Sequence, residues 1–380
     1  MQREQASPRH DWQARCESVG FGYHTIDGTY WDESVCYRFS ADEIDTLESA
    51  SAALHELCLQ ACEHIVSRGR FDEFAIPAAF HPLVAESWRK KDPSLFGRFD
   101  LAWTGEGPPK LLEYNADTPT AILEASVVQW HWMEEVKPGT DQFNSIHEKL
   151  IERWTVFRGL IGADSPITFS CVPDNAEDLG NTEYLRDTAM QAGFGTEQVS
   201  IEQLGWDAAK GWFVNLHNQP VDALFKLYPW EWLVNEAFGQ HLLSRPCAMI
   251  EPAWKMLLSN KAILAILWEL FPDHPNLLPA YRDPTRLNVD LKGDYVRKPL
   301  LSREGANISV RSKAHPMMTE GSYGAEGYVY QAFAPLFSAA GQYAVIGSWM
   351  IGDAAAGIGI REDNTPITQN TSRFVPHYFE

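Results

Sequence analysis

Arg98, Asp100, Glu113 and Asn115 are the residues best suited by type and spacing to carry chemistry. They lie on two runs that alternate polar and apolar residues: Arg98-Phe99-Asp100, and Lys110-Leu111-Leu112-Glu113-Tyr114-Asn115-Ala116-Asp117. The turn Gly105-Glu106-Gly107-Pro108-Pro109 separates them. This pattern predicts a two-stranded hairpin. Side chains alternate along a strand, so Arg98 and Asp100 share one face and Glu113 and Asn115 share another. Where those faces coincide, two carboxylates, one amide oxygen and one guanidinium converge. The oxygens suit a hard divalent cation such as Mg²⁺, which leaves positions open for phosphate. The arginine points further, to a transferring phosphoryl group whose oxygens gain charge. The competing reading is a solvated hairpin face, the commonest fate of charged residues.

The next residues extend the pattern. Thr118-Pro119-Thr120 puts a hydroxyl at a helix cap and a proline in the first turn, and residues 121–135 have helical periodicity. A helix start with two hydroxyls beside a metal hairpin is an anion site. Later, Lys261 opens a helix after Leu257-Leu258-Ser259-Asn260, and Lys298 ends the strand-like Tyr295-Val296-Arg297. The polar loop 302–307, with its single Gly305, reads as a mobile cover over phosphates or as a plain turn. Gln331 sits in the apolar strand 328–333, where its amide could meet a base edge. Arg361 ends the strand 356–361, either solvated or as a second charge clamp.

Three parts must position these residues. Residues 1–160 read as helical to about Val66, irregular to Asp92, then the hairpin, a helix to Glu135 and more helix over 141–160. Residues 161–250 alternate strand (167–172, 198–201, 222–227) with a helix (177–192) and a hairpin around 212–216, which makes a small α/β lobe. From Trp254 a helix gives way to strands and the segment Pro366-Ile367-Thr368.

Composition narrows the class. The 380 residues are 45% hydrophobic, enough for a sizeable core, and carry a formal net charge of -20. That charge argues against nucleic acid and anionic membranes and favours cationic small molecules. The start has no apolar leader, no run is long enough to span a bilayer, and six scattered cysteines fit a reducing cytoplasm. Cys58 and Cys62, near His55 and His64, fall on an apolar helical stripe and read as core residues rather than metal ligands. The sequons at Asn307 and Asn370 carry no weight in that compartment.

Several of these segments together, in one order, resemble the glutathionylspermidine synthetase domain, an ATP-grasp ligase family. They are residues 113–120, Ser259-Asn260-Lys261, Lys298-Pro299 with Arg303-Glu304-Gly305, and the tail 357–375. The resemblance covers nearly the whole chain and implies an α/β fold with a permuted ATP-grasp order and a small pre-ATP-grasp lobe. Residues 1–160 would supply helices and the metal hairpin, 161–250 the lobe and 251–380 the nucleotide-binding region. It implies two Mg²⁺ ions on Asp100, Glu113 and Asn115, and ATP held by Arg98, Phe99, Asp100, Lys261, Lys298, Gly305, Gln331, Pro366, Ile367 and Thr368. Arg98 and Arg361 would stabilise transition states. Thr118, Thr120 and Arg303 would hold the carboxylate substrate, with threonines where serines are expected. No amidase-type nucleophile precedes the ligase segments. The implied reaction joins a carboxylate to an amine through an acyl phosphate. The alternatives are an ATP-hydrolysing, degenerate ligase with a regulatory role and, from the segment Tyr228-Pro229-Trp230-Glu231-Trp232, a non-enzymatic interaction protein.

Overall fold

The computed structural model describes every residue except 27, 163–164, 287–290, 292 and 313–315. It is a mixed α/β fold with several sheets. The sheet that carries the hairpin joins distant parts of the chain. Strands Phe96–Ala102 and Lys110–Asn115 pair with each other, and the first also pairs with Gln342–Ile351. Beyond it lie Ala354–Asp363 and Arg373–Val375, all antiparallel. One face of this sheet is apolar: Phe99, Leu101, Tyr114, Ile346 and Ile358 are buried in one cluster with the helix Ala41–Arg68. That helix has clear ends. Ser40 and Glu43 form a reciprocal capping box, and Gly69 stops it in the left-handed region at φ 67. Cys58 and Cys62 lie on its buried face, and burial pushes the Cys58 thiol up to about 12.

A second antiparallel sheet centres on Tyr295–Pro299, flanked by Tyr328–Ala332 and Ser309–Arg311. A third is parallel, in the order Ala248–Ile250, Ala223–Leu227, Ile167–Cys171, Thr196–Gln198, with the helix Ala176–Gln191 as a crossover.

Some expectations need correction. The N-terminal region is not simply helical: Gln2–Gln5 pairs with Val35–Phe39, which pairs in parallel with His377–Phe379. These strands are short, and their partner lies at the opposite end of the chain. The irregular stretch before Asp92 contains the helix His81–Arg89. The strand expected at 198–201 ends at Gln198 and is followed by a 3₁₀ turn. No helix among the described residues is long and apolar enough to cross a membrane.

Candidate active site

In the hairpin register Asp100 lies directly opposite Glu113, and Arg98 opposite Asn115. Two like charges opposite one another are unfavourable unless cations offset them. Here three do. Arg98 donates from Nε to Asp100 Oδ1 at 2.7 Å and from Nη2 to Oδ2 at 3.1 Å, and Lys261 Nζ lies 3.0 Å from Glu113 Oε2. Lys298 is the third cation. Burial alone would raise the Glu113 carboxyl, but Lys261 and Lys298 hold it down to about 2. Arg98 pairs with Trp349 on the next strand and its side chain crosses the diagonal position Gly347, where a Cβ would come within 2.9 Å of Arg98 Cδ.

Asn115 Nδ2 donates to Asp100 Oδ2 at 3.1 Å and Glu113 Oε1 at 3.2 Å. Rotated about its amide plane, the same side chain offers Oδ1 instead. Two facing carboxylates and one amide oxygen fit a cation that keeps its own water and shares phosphate oxygens. Among the described residues no group of three or more His, Cys, Asp or Glu is arranged for a metal.

Two cavities meet at this face. One is a slot between the hairpin-bearing sheet and the Tyr295–Pro299 sheet, walled by Leu112, Val296, Phe333, Val345 and Ile367. The other is a polar cleft of about 330 Å³ between the hairpin, the parallel-sheet lobe and the 302–307 loop. Asp100, Glu113, Lys261, Ser302, Gly305 and Thr368 line both. In the slot, Lys298 Nζ donates to Leu112 O and Gln331 Oε1, each at 2.8 Å, and Gln331 Nε2 donates to Leu111 O at 2.8 Å. Gln331 thus ties Lys298 to the hairpin. Burial pulls Lys298 down to about 8. Gly305 has φ +71, and a Cβ there would meet Thr368 O at 2.5 Å, so the loop rests on the segment that holds Pro366, Ile367 and Thr368.

Arg361 faces the cleft with Arg98, but its donors hold the carbonyls of Ser372, Gln369 and Asn370, and its guanidinium lies 5.2 Å from the Tyr30 ring centre. Its strand runs on to Asp363, so Arg361 is inside the strand rather than at its end. Arg303 Nη2 donates to Thr118 Oγ1 at 2.6 Å, and Thr120 offers its carbonyl to Arg98 Nη1 at 2.8 Å.

Phe99 does not bring its side chain to the slot, so the ATP role that the resemblance implies for it would fall to its backbone. Strand alternation turns the side chain to the opposite face, where it stacks on Tyr114 with ring centres 3.9 Å apart. Thr118 does not cap the following helix either. The chain turns through Ala121 at φ 69, and the Ile122 N–H bonds to Asn181 Oδ1 at 2.9 Å, on a different helix. The helix start is therefore supplied from outside, which frees the Thr118 hydroxyl for Arg303.

The cleft also contains acids that the sequence reading passed over. Glu177 and Asp178 open the helix Ala176–Gln191 and line the cleft wall, as does Glu231. Burial and the neighbouring Glu177 carboxylate hold Asp178 up to about 7. Their only sequence signal was the Asn175 cap with acids in the first turn, and that is indistinguishable from ordinary capping.

The sequence pattern of the family described as "Glutathionylspermidine synthase preATP-grasp" matches residues 3–380. The chain belongs to the glutathionylspermidine synthase family. It is 43% identical to a Haemophilus influenzae protein named "Putative acid--amine ligase", with 98% of this chain and 97% of that protein aligned. It is 30% identical to trypanothione synthetase of Crithidia fasciculata and 26% to the bifunctional glutathionylspermidine synthetase/amidase of Escherichia coli. Those alignments cover 95% and 90% of this chain but only 57% and 58% of the longer relatives. A solved glutathione synthetase-like effector from Globodera pallida shares the fold, with a TM-score of 0.59 at 11% identity over 97% of this chain and 96% of its own. Family membership supports an enzyme of the ligase type.

Proposed function

We propose that this member of the glutathionylspermidine synthase family is an ATP-dependent acid–amine ligase of permuted ATP-grasp type. The observation that carries the proposal is the shared wall. Asp100 and Glu113, flanked by three cations, stand where an apolar slot opens into a polar cleft. ATP would take the slot, with Lys298 and Gln331 beside it, the 366–368 segment and Gly305 closing over it, and Lys261 at the phosphates. Mg²⁺ on Asp100, Glu113 and Asn115 would neutralise phosphate oxygens when bound.

The acid would lie along Thr118, Thr120 and Arg303. Its carboxylate oxygen forms a bond to the γ-phosphorus while the bond to ADP breaks, which yields an acyl phosphate and ADP. Arg98 and Arg361 face the charge that grows on the transferring group. The amine nitrogen then bonds to the acyl carbon, and inorganic phosphate leaves. Glu177 and Asp178 suit a cationic amine, and Asp178, held near 7, suits the proton the amine must shed. No nucleophilic side chain is required. The names of the relatives favour a small peptide acid and a polyamine such as spermidine.

The test is phosphate release from ATP with mixtures of peptides and polyamines, followed by mass spectrometry for amide products. An ATP-dependent amide supports the proposal. Phosphate release with no adduct from any amine favours the degenerate ATPase, and absence of any ATP turnover refutes the ligase.

A further inference from the structure

The proposed chemistry leaves unused a buried ion pair that borders the cleft. Lys226 Nζ donates to Asp117 Oδ1 at 2.6 Å, with side chains 0% and 1% exposed. The second oxygen, Asp117 Oδ2, accepts the Trp230 backbone N–H at 2.8 Å. Packed apolar residues would join two elements at least as well as a buried charge pair, so its use here calls for a directional role.

That direction runs across the cleft. Asp117 follows the hairpin and precedes Thr118, so it belongs to one wall. Lys226 lies on Ala223–Leu227, and Trp230 starts the turn whose Glu231 and Trp232 line the other wall. Trp230 is itself pinned, since its indole N–H donates to Glu251 O at 3.0 Å. One carboxylate therefore grips both ends of the segment 226–230. On the open side Arg303 spans the same gap, with Nη2 on Thr118 Oγ1 at 2.6 Å and Nη1 at 3.4 Å from Glu231 Oε1. The two links close a ring through Asp117, Thr118, Arg303, Glu231 and Trp230.

We infer that Asp117 and Lys226 are a positioning pair that sets the separation of Thr118 and Glu231, and with it the width of the acid-binding part of the cleft. This rests on the reading of Thr118 and Arg303 as the acid site. Asp117 touches no reacting atom and acts through Thr118 and the Trp230 turn. The nucleotide slot, although it opens into the cleft, has its own cross-links, from Lys298 to Leu112 O and Gln331 Oε1 and from Gln331 to Leu111 O.

The decisive variant is the double substitution Asp117→Asn with Lys226→Met, which leaves no lone buried charge and keeps an acceptor for the Trp230 N–H. Hydrogen exchange should quicken about tenfold or more in 116–121, 229–233 and 302–304. It should stay unchanged in 295–299 and 328–332, and a non-hydrolysable ATP analogue should bind within about twofold of wild type. With glutathione, spermidine and ATP, KM for glutathione should rise about tenfold while kcat and KM for ATP stay within about threefold. Unchanged exchange at the cleft, or quickening throughout the chain, overturns the inference. If the wild type turns over none of these substrates, that result counts against the ligase proposal alone, and the exchange comparison still decides this one. Should the double variant fail to fold, Asp117→Glu keeps the charge and lengthens the arm. The same local pattern is expected from it, and its absence is equally decisive.

Discussion

Lys298→Met separates the energetic cost of a buried cation from its use. Lys298 is 5% exposed, and burial lowers its pKa from 10.5 to about 8. A shift of that size means about 3 kcal/mol for holding the charge in the fold. Methionine has similar length and no charge, so it removes that cost. It also leaves Leu112 O and Gln331 Oε1 without their donor, at about 1–3 kcal/mol for each group that stays dry. These terms oppose each other, and unfolding free energy at pH 7 should fall by no more than about 3 kcal/mol. The pH profile should change more clearly. In the wild type the native state sheds this proton near 8, while the unfolded chain keeps it to about 10.5. The unfolded state then binds more protons, so this lysine makes stability rise as pH climbs through that window. The variant should lack that rise. Nucleotide affinity should fall about ten- to a hundredfold, because a point charge facing phosphate is lost. Urea unfolding at pH 7 and 9.5, with calorimetric titration of a non-hydrolysable ATP analogue, measures all three. A loss above about 4 kcal/mol with unchanged nucleotide affinity would refute the reasoning and make Lys298 a structural residue.

Two further outcomes follow from the same face. Glu113→Gln should lower ATP turnover by more than about a hundredfold, the scale of a principal electrostatic stabiliser; phosphate release within a few-fold of wild type would sink the metal-ligand assignment. Gly305→Ala should weaken binding of the ATP analogue about tenfold and destabilise the protein by about 1–2 kcal/mol, since φ +71 and a contact of 2.5 Å to Thr368 O force the loop away. Calorimetry and urea unfolding read the two effects, and unchanged affinity would remove this loop from the nucleotide slot.

The hairpin was legible because strand alternation is local. Spacing by two put Arg98 with Asp100 and Glu113 with Asn115, and a short turn made the two faces coincide. Lys298 and Gln331 were likewise readable as strand residues, and the long helix announced itself through its apolar stripe. The same alternation turns the Phe99 side chain to the core. Other features depend on distant partners. Thr118 looked like a cap until Asn181, from another helix, took the Ile122 N–H. Glu177 and Asp178 looked like first-turn acids until the lobe turned their helix toward the cleft. Nothing near Asp117 in the chain names Lys226 as its partner. The terminal strands Gln2–Gln5, Val35–Phe39 and His377–Phe379 are too short to carry a periodic signal, and they exist because each finds its hydrogen bonds in the others. Periodicity of 2 or 3.6 residues determines which face a side chain takes. Which face meets which is decided by burial and backbone pairing between segments far apart in the chain, and those terms are satisfied only in the assembled tertiary structure.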